Sequence, residues 1–248
     1  MRFLLMHKAD QQSESGVLPP PDQMQELFAN MGRLISDTAR AGHFLAGEGL
    51  RPSSTRMRLT FAHGSCTVTR GPYPGRNELP AGFVAIKVKT TDEAIDWAKQ
   101  LGLALGGPEL ELGPIVETWD LGVAPRPKGP VPLRFLILHK ATPQTEAGTP
   151  RPPQQQAELT RVLDAMRAAG VLEFVEEFLP GSRSVRLHYR NHQRTVTDGP
   201  FAESKELIGG FCMVQMASLD EVLVWTDRFA RILGGTVEVD VRPVADRR

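Results

Sequence analysis

An internal repeat constrains this chain more than any other feature. Arg2-Phe3-Leu4-Leu5-Met6-His7-Lys8-Ala9 returns 132 positions later as Arg134-Phe135-Leu136-Ile137-Leu138-His139-Lys140-Ala141. Glu14, Gly16 and Pro21 meet Glu146, Gly148 and Pro153 at the same spacing. Past the first helical pattern the spacing falls to 128, and Thr67-Val68-Thr69-Arg70-Gly71-Pro72-Tyr73 meets Thr195-Val196-Thr197-Asp198-Gly199-Pro200-Phe201. Gly82-Phe83, Asp92-Glu93 and Trp97 meet Gly210-Phe211, Asp220-Glu221 and Trp225. Self-similarity over this length means two copies of one structural unit. The 248 residues divide into a module over 1–118, a linker over 119–132 and a module over 133–248. Within the linker, Gly122 to Pro132 holds four prolines in eleven residues, the composition of a semi-extended spacer.

Each copy alternates strand and helix patterns. Phe3 to His7 and Phe135 to His139 are nearly continuous apolar runs, which predicts a strand buried on both faces. A proline-bearing polar loop follows. Met24, Leu27, Phe28, Met31 and Ile35 then fall on one helical stripe, as do Leu159, Val162, Leu163 and Met166, with Gly42 and Gly170 at the stop positions. Strands are expected around Phe44-Leu45, at Met57 to Leu59 with Thr67 to Thr69, and at Val185 to Leu187 with Thr195 to Thr197. His63-Gly64-Ser65 and Asn191-His192-Gln193 read as hairpin turns. Phe83 to Val88 and Phe211 to Met216 are further strands. A second helix opens in each copy at Thr90-Thr91-Asp92-Glu93 and Ser218-Leu219-Asp220-Glu221, where hydroxyl and glutamate stand three apart as in a capping box. Last strands lie at Leu110 to Leu112 and Val237 to Val241. The order is a ferredoxin-like α+β plan with an embellished middle. Helices on one side leave the other sheet face bare, so the expectation is two modules packed sheet to sheet as an intramolecular pseudo-dimer. The chain then exists as a monomer with that pseudo-symmetry or as a homodimer.

Composition narrows the function classes. Hydrophobic residues make up 41% and charged residues 23%, as in an ordinary globular domain. Lys plus Arg and Asp plus Glu are 29 each, so the basic excess of a nucleic-acid binder is missing. The opening apolar run is too short for a signal sequence or a membrane span, which points to a cytoplasmic protein. Cys66 and Cys212 occupy non-equivalent places and read as inert buried thiols. No Cys-x-x-Cys, phosphate loop, dinucleotide fingerprint, His-Glu-x-x-His or Gly-x-Ser-x-Gly occurs, so no metal and no cofactor is expected.

Thr197-Asp198-Gly199-Pro200-Phe201-Ala202-Glu203 followed by Lys205-Glu206-Leu207-Ile208-Gly209-Gly210-Phe211 resembles the signature of the YCII-related, DGPF-type family of bacterial proteins. Ala46-Gly47-Glu48-Gly49-Leu50, the opening His-Lys-Ala segments, Ser13 to Gly16 and Thr145 to Gly148 resemble it too. The resemblance covers both copies. It implies a dimeric α/β-barrel fold related to muconolactone isomerase and the YciI proteins, with an acidic or histidine-containing site in a cleft. For some members it implies association with extracytoplasmic-function sigma factors. Copy one departs from the signature, with Arg70-Gly71-Pro72-Tyr73 at the place of Asp198-Gly199-Pro200-Phe201.

Several residues could carry chemistry, each with a plainer reading beside it. Asp198 is either an Asx-turn residue or a general acid or base, and Arg70 at its place in copy one could hold an anion. His7 and His139 are either hydrogen-bonded rim residues or proton-transfer groups. Lys8, Lys140, Glu14 and Glu146 either form surface ion pairs or orient an anionic substrate. Glu78 and Glu206 read as solvated or capping. The expectation that follows is a small-molecule site for an organic acid or phenol, with Asp198, His139 and His7 as acid–base groups and Lys140, Lys8, Glu146 and Arg70 as substrate contacts. A regulatory module partnered by a sigma factor is the alternative, and a purely structural relic of duplication is a third.

Overall fold

A computed structural model describes residues 1–75, 78–191, 193–201 and 207–245. Glu206 and His192, read above as a solvated carboxylate and a turn residue, lie outside the described residues. In copy one the elements are β1 (Arg2–Lys8), α1 (Gln11–Ser15), α2 (Pro21–Arg40), β2 (Phe44–Gly49), β3 (Met57–Ala62), β4 (Ser65–Arg70), β5 (Pro80–Val88), α3 (Thr91–Ala104) and β6 (Leu110–Pro114). Copy two repeats them as β7 (Leu133–Lys140), α4 (Pro143–Glu146), α5 (Pro153–Ala168), β8 (Leu172–Glu177), β9 (Val185–Arg190), β10 (Gln193–Asp198), β11 (Ile208–Gln215), α6 (Leu219–Leu233) and β12 (Val237–Pro243). The expected polar loop after each first strand contains a short capped helix instead. Asp10 and Thr142 accept from the Ser13 and Thr145 amides, and those hydroxyls accept from the cap amides in return.

The twelve strands form two six-stranded antiparallel sheets in the orders β10-β9-β12-β1-β11-β2 and β4-β3-β6-β7-β5-β8. Under the repeat these are one order written twice. Each sheet, however, draws on both copies. β1 and β2 of copy one pair with β11 and β12 of copy two, and β7 and β8 of copy two pair with β5 and β6 of copy one. The compact units therefore cut across the repeats. Unit 1 joins Met1–Gly49 to the described residues from 181 onward, and unit 2 is the continuous stretch Leu50–Pro180. Both are α+β, ferredoxin-like modules, completed by an exchange of the first quarter of the chain for the third.

Each sheet carries its helices on one face. In unit 1, Phe3, Leu5, Leu187, Val214 and Val239 pack against Leu34 of α2 and Val222, Trp225 and Phe229 of α6. The most buried part of the α2 stripe is Leu34 with Thr38, whose hydroxyl accepts from Trp225 Nε1 at 2.8 Å and ties the two helices together. In unit 2, Leu59, Ile86, Leu110 and Ile137 pack against Ile95, Ala98 and Leu101 of α3 and Leu159, Val162 and Met166 of α5. Each large apolar side chain buried this way stabilises its unit by about 1.5–3 kcal/mol. Each expected capping box forms only in its hydroxyl half, and its glutamate caps the amide one residue earlier. Thr90 and Ser218 accept from Glu93 N and Glu221 N, while the glutamates accept from the amides of Lys89 and Ala217.

Candidate functional site

Alternation along the strands decides which side chains share a surface. Met57 and Leu59 of β3 face the helices, so Arg58 between them faces away. By the same count, Glu111 of β6 and Lys140 of β7 face away in unit 2, and Arg186, Asp240 and Lys8 do so in unit 1. Register makes these side chains neighbours, since Arg58 lies opposite Glu111 and Arg186 opposite Asp240.

The result is one buried ionic cluster per unit, with its lysine and arginine at equivalent positions and the carboxylate they share at different ones. In unit 1, Arg186 grips Asp240 with two hydrogen bonds of 2.6 and 3.0 Å, and Lys8 Nζ lies 2.9 Å from the same carboxylate. Arg186 also reaches Glu238 at 3.3 Å. Its guanidinium stands 4.4 Å over the ring of Phe201, the aromatic of the Gly-Pro-aromatic turn. Burial alone would push the Asp240 carboxyl up, but Lys8 and Arg186 outweigh it and hold the group below its ordinary range. In unit 2, Arg58 bonds Glu78 at 2.7 Å, reaches Glu109 at 3.3 Å and lies 4.1 Å over the Tyr73 ring. Lys140 completes the cluster on Glu78. Glu78, read from sequence as solvated or capping, is instead buried among cations.

The two clusters differ where their second arginine enters. Arg56, which directly precedes β3, bonds Glu111 at 2.8 Å, both side chains being almost fully buried. Its counterpart in unit 1 is Ser184, and there Arg242 of β12 is buried where unit 2 has Gly113. A Cβ on Gly113 would meet the Arg56 side chain at 3.6 Å. A bulky cation on one segment is thus matched by a small residue on its neighbour, with the assignment reversed between units. Tyr73 also has no hydroxyl counterpart in Phe201. Burial and then Glu111 push its phenol above the ordinary range.

The polar surface grades outward in unit 1. Lys8 and Asp240 are sealed, Arg186 and Glu238 are mostly covered, and the His188 side chain is 46% exposed, 3.9 Å from Glu238. Thr195 and Thr197 lie opposite His188 and Arg186 on the same face and are exposed. The cluster therefore reaches solvent along the β9–β10 hairpin.

The residues singled out from sequence do not converge. His7 and His139 point to the helix face, opposite their neighbours Lys8 and Lys140. Each imidazole lies across a glycine of the adjoining strand. A Cβ on Gly82 would stand 2.4 Å from His139 Nε2, and one on Gly210 would stand 2.6 Å from His7 Cε1. His139 is sealed, and burial, followed by the Arg151 charge, pushes it down to about 3, so it stays neutral at physiological pH. His7 is half-buried against the Phe229 ring. Asp198 ends β10 opposite Val185, which faces the helices, so its exposed carboxylate lies on the face away from Arg186. Three strand spacings, about 14 Å, separate it from β1 and His7. Arg70 is exposed and turned to Met57, its Nη1 3.8 Å from the sulfur. Glu146 closes α4 and is half-buried. Only Lys8 and Lys140 of the expected set belong to the clusters. Arg58, Glu111, Arg186, Glu238 and Asp240 stand in no sequence motif, and a single charge between apolar residues does not show which sheet face is covered. The signal that could have found them is that the same charges alternate in both copies.

A family model described as YCII-related domain matches residues 1–109 and again 133–245, and the chain belongs to that family. A stretch of 77 residues is 36% identical to an uncharacterized protein of Rhizobium meliloti strain 1021, covering 31% of this chain and 62% of that protein. No solved structure matches the chain. Among the described residues no helix is long and apolar enough to cross a membrane.

Proposed function

We propose that this YCII-related chain binds a small organic acid or phenol on the polar face of unit 1 and acts on it by proton transfer between its own side chains. The observation behind this reading is the double occurrence of the lysine–arginine–carboxylate cluster. Burying an ion pair rarely stabilises a fold better than apolar residues of the same volume. A fold needing only a core has no reason to carry such a cluster in both units. Arg186 is the cation that an organic anion would engage, with Asp240 as its resident counter-ion and the sealed Lys8 holding that carboxylate in place. His188, with Glu238 beside it, is the exposed imidazole at the outer end of the same face, a side chain that can both donate and accept a proton. Phe201 over Arg186 offers a flat wall for a ring.

The test is a panel of small carboxylic acids and phenols titrated into the isotopically labelled protein, with solvent deuterium exchange into any bound acid as the readout of proton transfer. Shifts centred on Arg186 and His188, weakened at least tenfold by Lys8→Met, and exchange lost in His188→Ala, are expected. Binding that ignores Lys8→Met, or exchange that survives His188→Ala and disappears in Asp198→Asn, would overturn the assignment.

A further inference from the structure

The repeat supplies two of everything except the connection between copies. That connection runs from Pro114 to Leu133, joining β6 to its antiparallel neighbour β7. Its composition predicts a bare spacer, yet its first part packs. Ile115 is almost fully buried and Trp119 and Asp120 are half-buried. Arg51 reaches across to Asp120 at 2.5 Å, and the same carboxylate accepts the Glu117 amide at 2.9 Å. Between this segment, the start of α3 and the first residues of β7 lies a cavity of about 250 Å³.

From its lining we infer that the cavity is a binding site for a small aromatic carboxylate. Arg51, Arg126 and Arg134 bring three cations against the two acids Glu117 and Asp120. Asp120 occupies only one end of the Arg51 guanidinium, and Arg51 Nε is a buried donor with no acceptor among the described residues. Arg134 is held by Glu173 at 3.0 Å and Glu117 at 3.6 Å. Arg126 is exposed and has no ion-pair partner among the described residues. One guanidinium edge and one free cation thus remain for a bidentate carboxylate. Trp119, Ile115 and Phe135 line the rest with apolar surface, and the volume admits a single ring rather than a drug-sized molecule. The α3 N-terminus, at Thr91, adds a favourable dipole for the anion.

The site is built from residues of unit 2. Under the repeat Arg51 corresponds to Leu179, so its guanidinium has no cationic counterpart in copy two.

Benzoate is the probe, with benzyl alcohol as the neutral ring of the same size and acetate as the anion without a ring. Calorimetric titration of the full chain, with Trp119 followed by fluorescence in a Trp97→Phe, Trp225→Phe background, is expected to show benzoate binding at one site. Benzyl alcohol and acetate should each bind at least tenfold more weakly. Arg126→Met, at an exposed position that cannot unfold the protein, should weaken benzoate severalfold, and Arg51→Met at least tenfold. Lys8→Met should leave this binding unchanged, which separates it from the unit 1 reading. Absence of benzoate binding, equal binding of benzyl alcohol, or indifference to both arginine variants would overturn the proposal.

Discussion

Replacing Glu111 by leucine tests whether the clusters are retained for stability. Arg56 and Glu111 bond at 2.8 Å with side chains 1% and 2% exposed, so the leucine strands a guanidinium that water cannot reach. An uncompensated buried charge of this kind costs about 3–5 kcal/mol, roughly a factor of 100 to several thousand in the folded-to-unfolded ratio of unit 2. Adding Arg56→Met to Glu111→Leu removes the stranded charge. A loss remains at the Arg51 carbonyl, which accepts from Arg56 Nε at 2.6 Å and costs about 1 kcal/mol to leave unserved. The double variant should therefore sit within about 1 kcal/mol of the parent, far below the sum of the two single changes, each of which strands a buried charge. Urea unfolding of the four proteins of the cycle, followed by circular dichroism with linear extrapolation, measures the difference. Additive effects, or a Glu111→Leu cost below about 1 kcal/mol, would show that the pair is not sealed and that its burial carries no functional meaning.

His139 ordinarily titrates at 6.5 and is pushed down to about 3 in the fold, so below pH 6.5 the unfolded chain takes up a proton that the folded chain refuses. Stability should fall with pH by up to about 1.4 kcal/mol per unit between those values. His139→Gln should remove that slope, and a slope unchanged in pH-dependent urea unfolding would refute the burial. Residues 50–180 form one unit with an unbroken chain, so this segment expressed alone should give dispersed amide spectra and a cooperative transition, whereas residues 1–118, which split both units, should not.

Much of the fold was legible. The first strand reads as doubly buried because it has apolar neighbours on both faces, and the Thr90 and Ser218 caps announce their helices. The exchange between copies was not legible for a specific reason. Phe3, Leu4, Leu5 and His7 have near-identical counterparts in Phe135, Leu136, Ile137 and His139, so β5 and β11 could accept either first strand with equal packing. What selects β7 for unit 2 is the connection from β6, residues 115–132, which joins two adjacent antiparallel strands. The buried charges were illegible for another reason. In a single strand such as Val237-Glu238-Val239-Asp240-Val241, alternation shows that two faces differ but not which is wet. Arg51 and Asp120 are 69 residues apart, and nothing in either segment announces their contact.

The exchange of strands can be tested by a cross-link. Leu5 of β1 lies directly opposite native Cys212 of β11, and both side chains face the same core. Opposed residues in antiparallel strands have Cα atoms about 4.5–5.5 Å apart, within disulfide range. In a Cys66→Ala background, Leu5→Cys should oxidise to a single intramolecular bridge between positions 5 and 212, identified by peptide mapping. If each copy kept its own first strand, position 5 would face Val84, and Leu5→Cys would bridge to Val84→Cys with Cys212 left free.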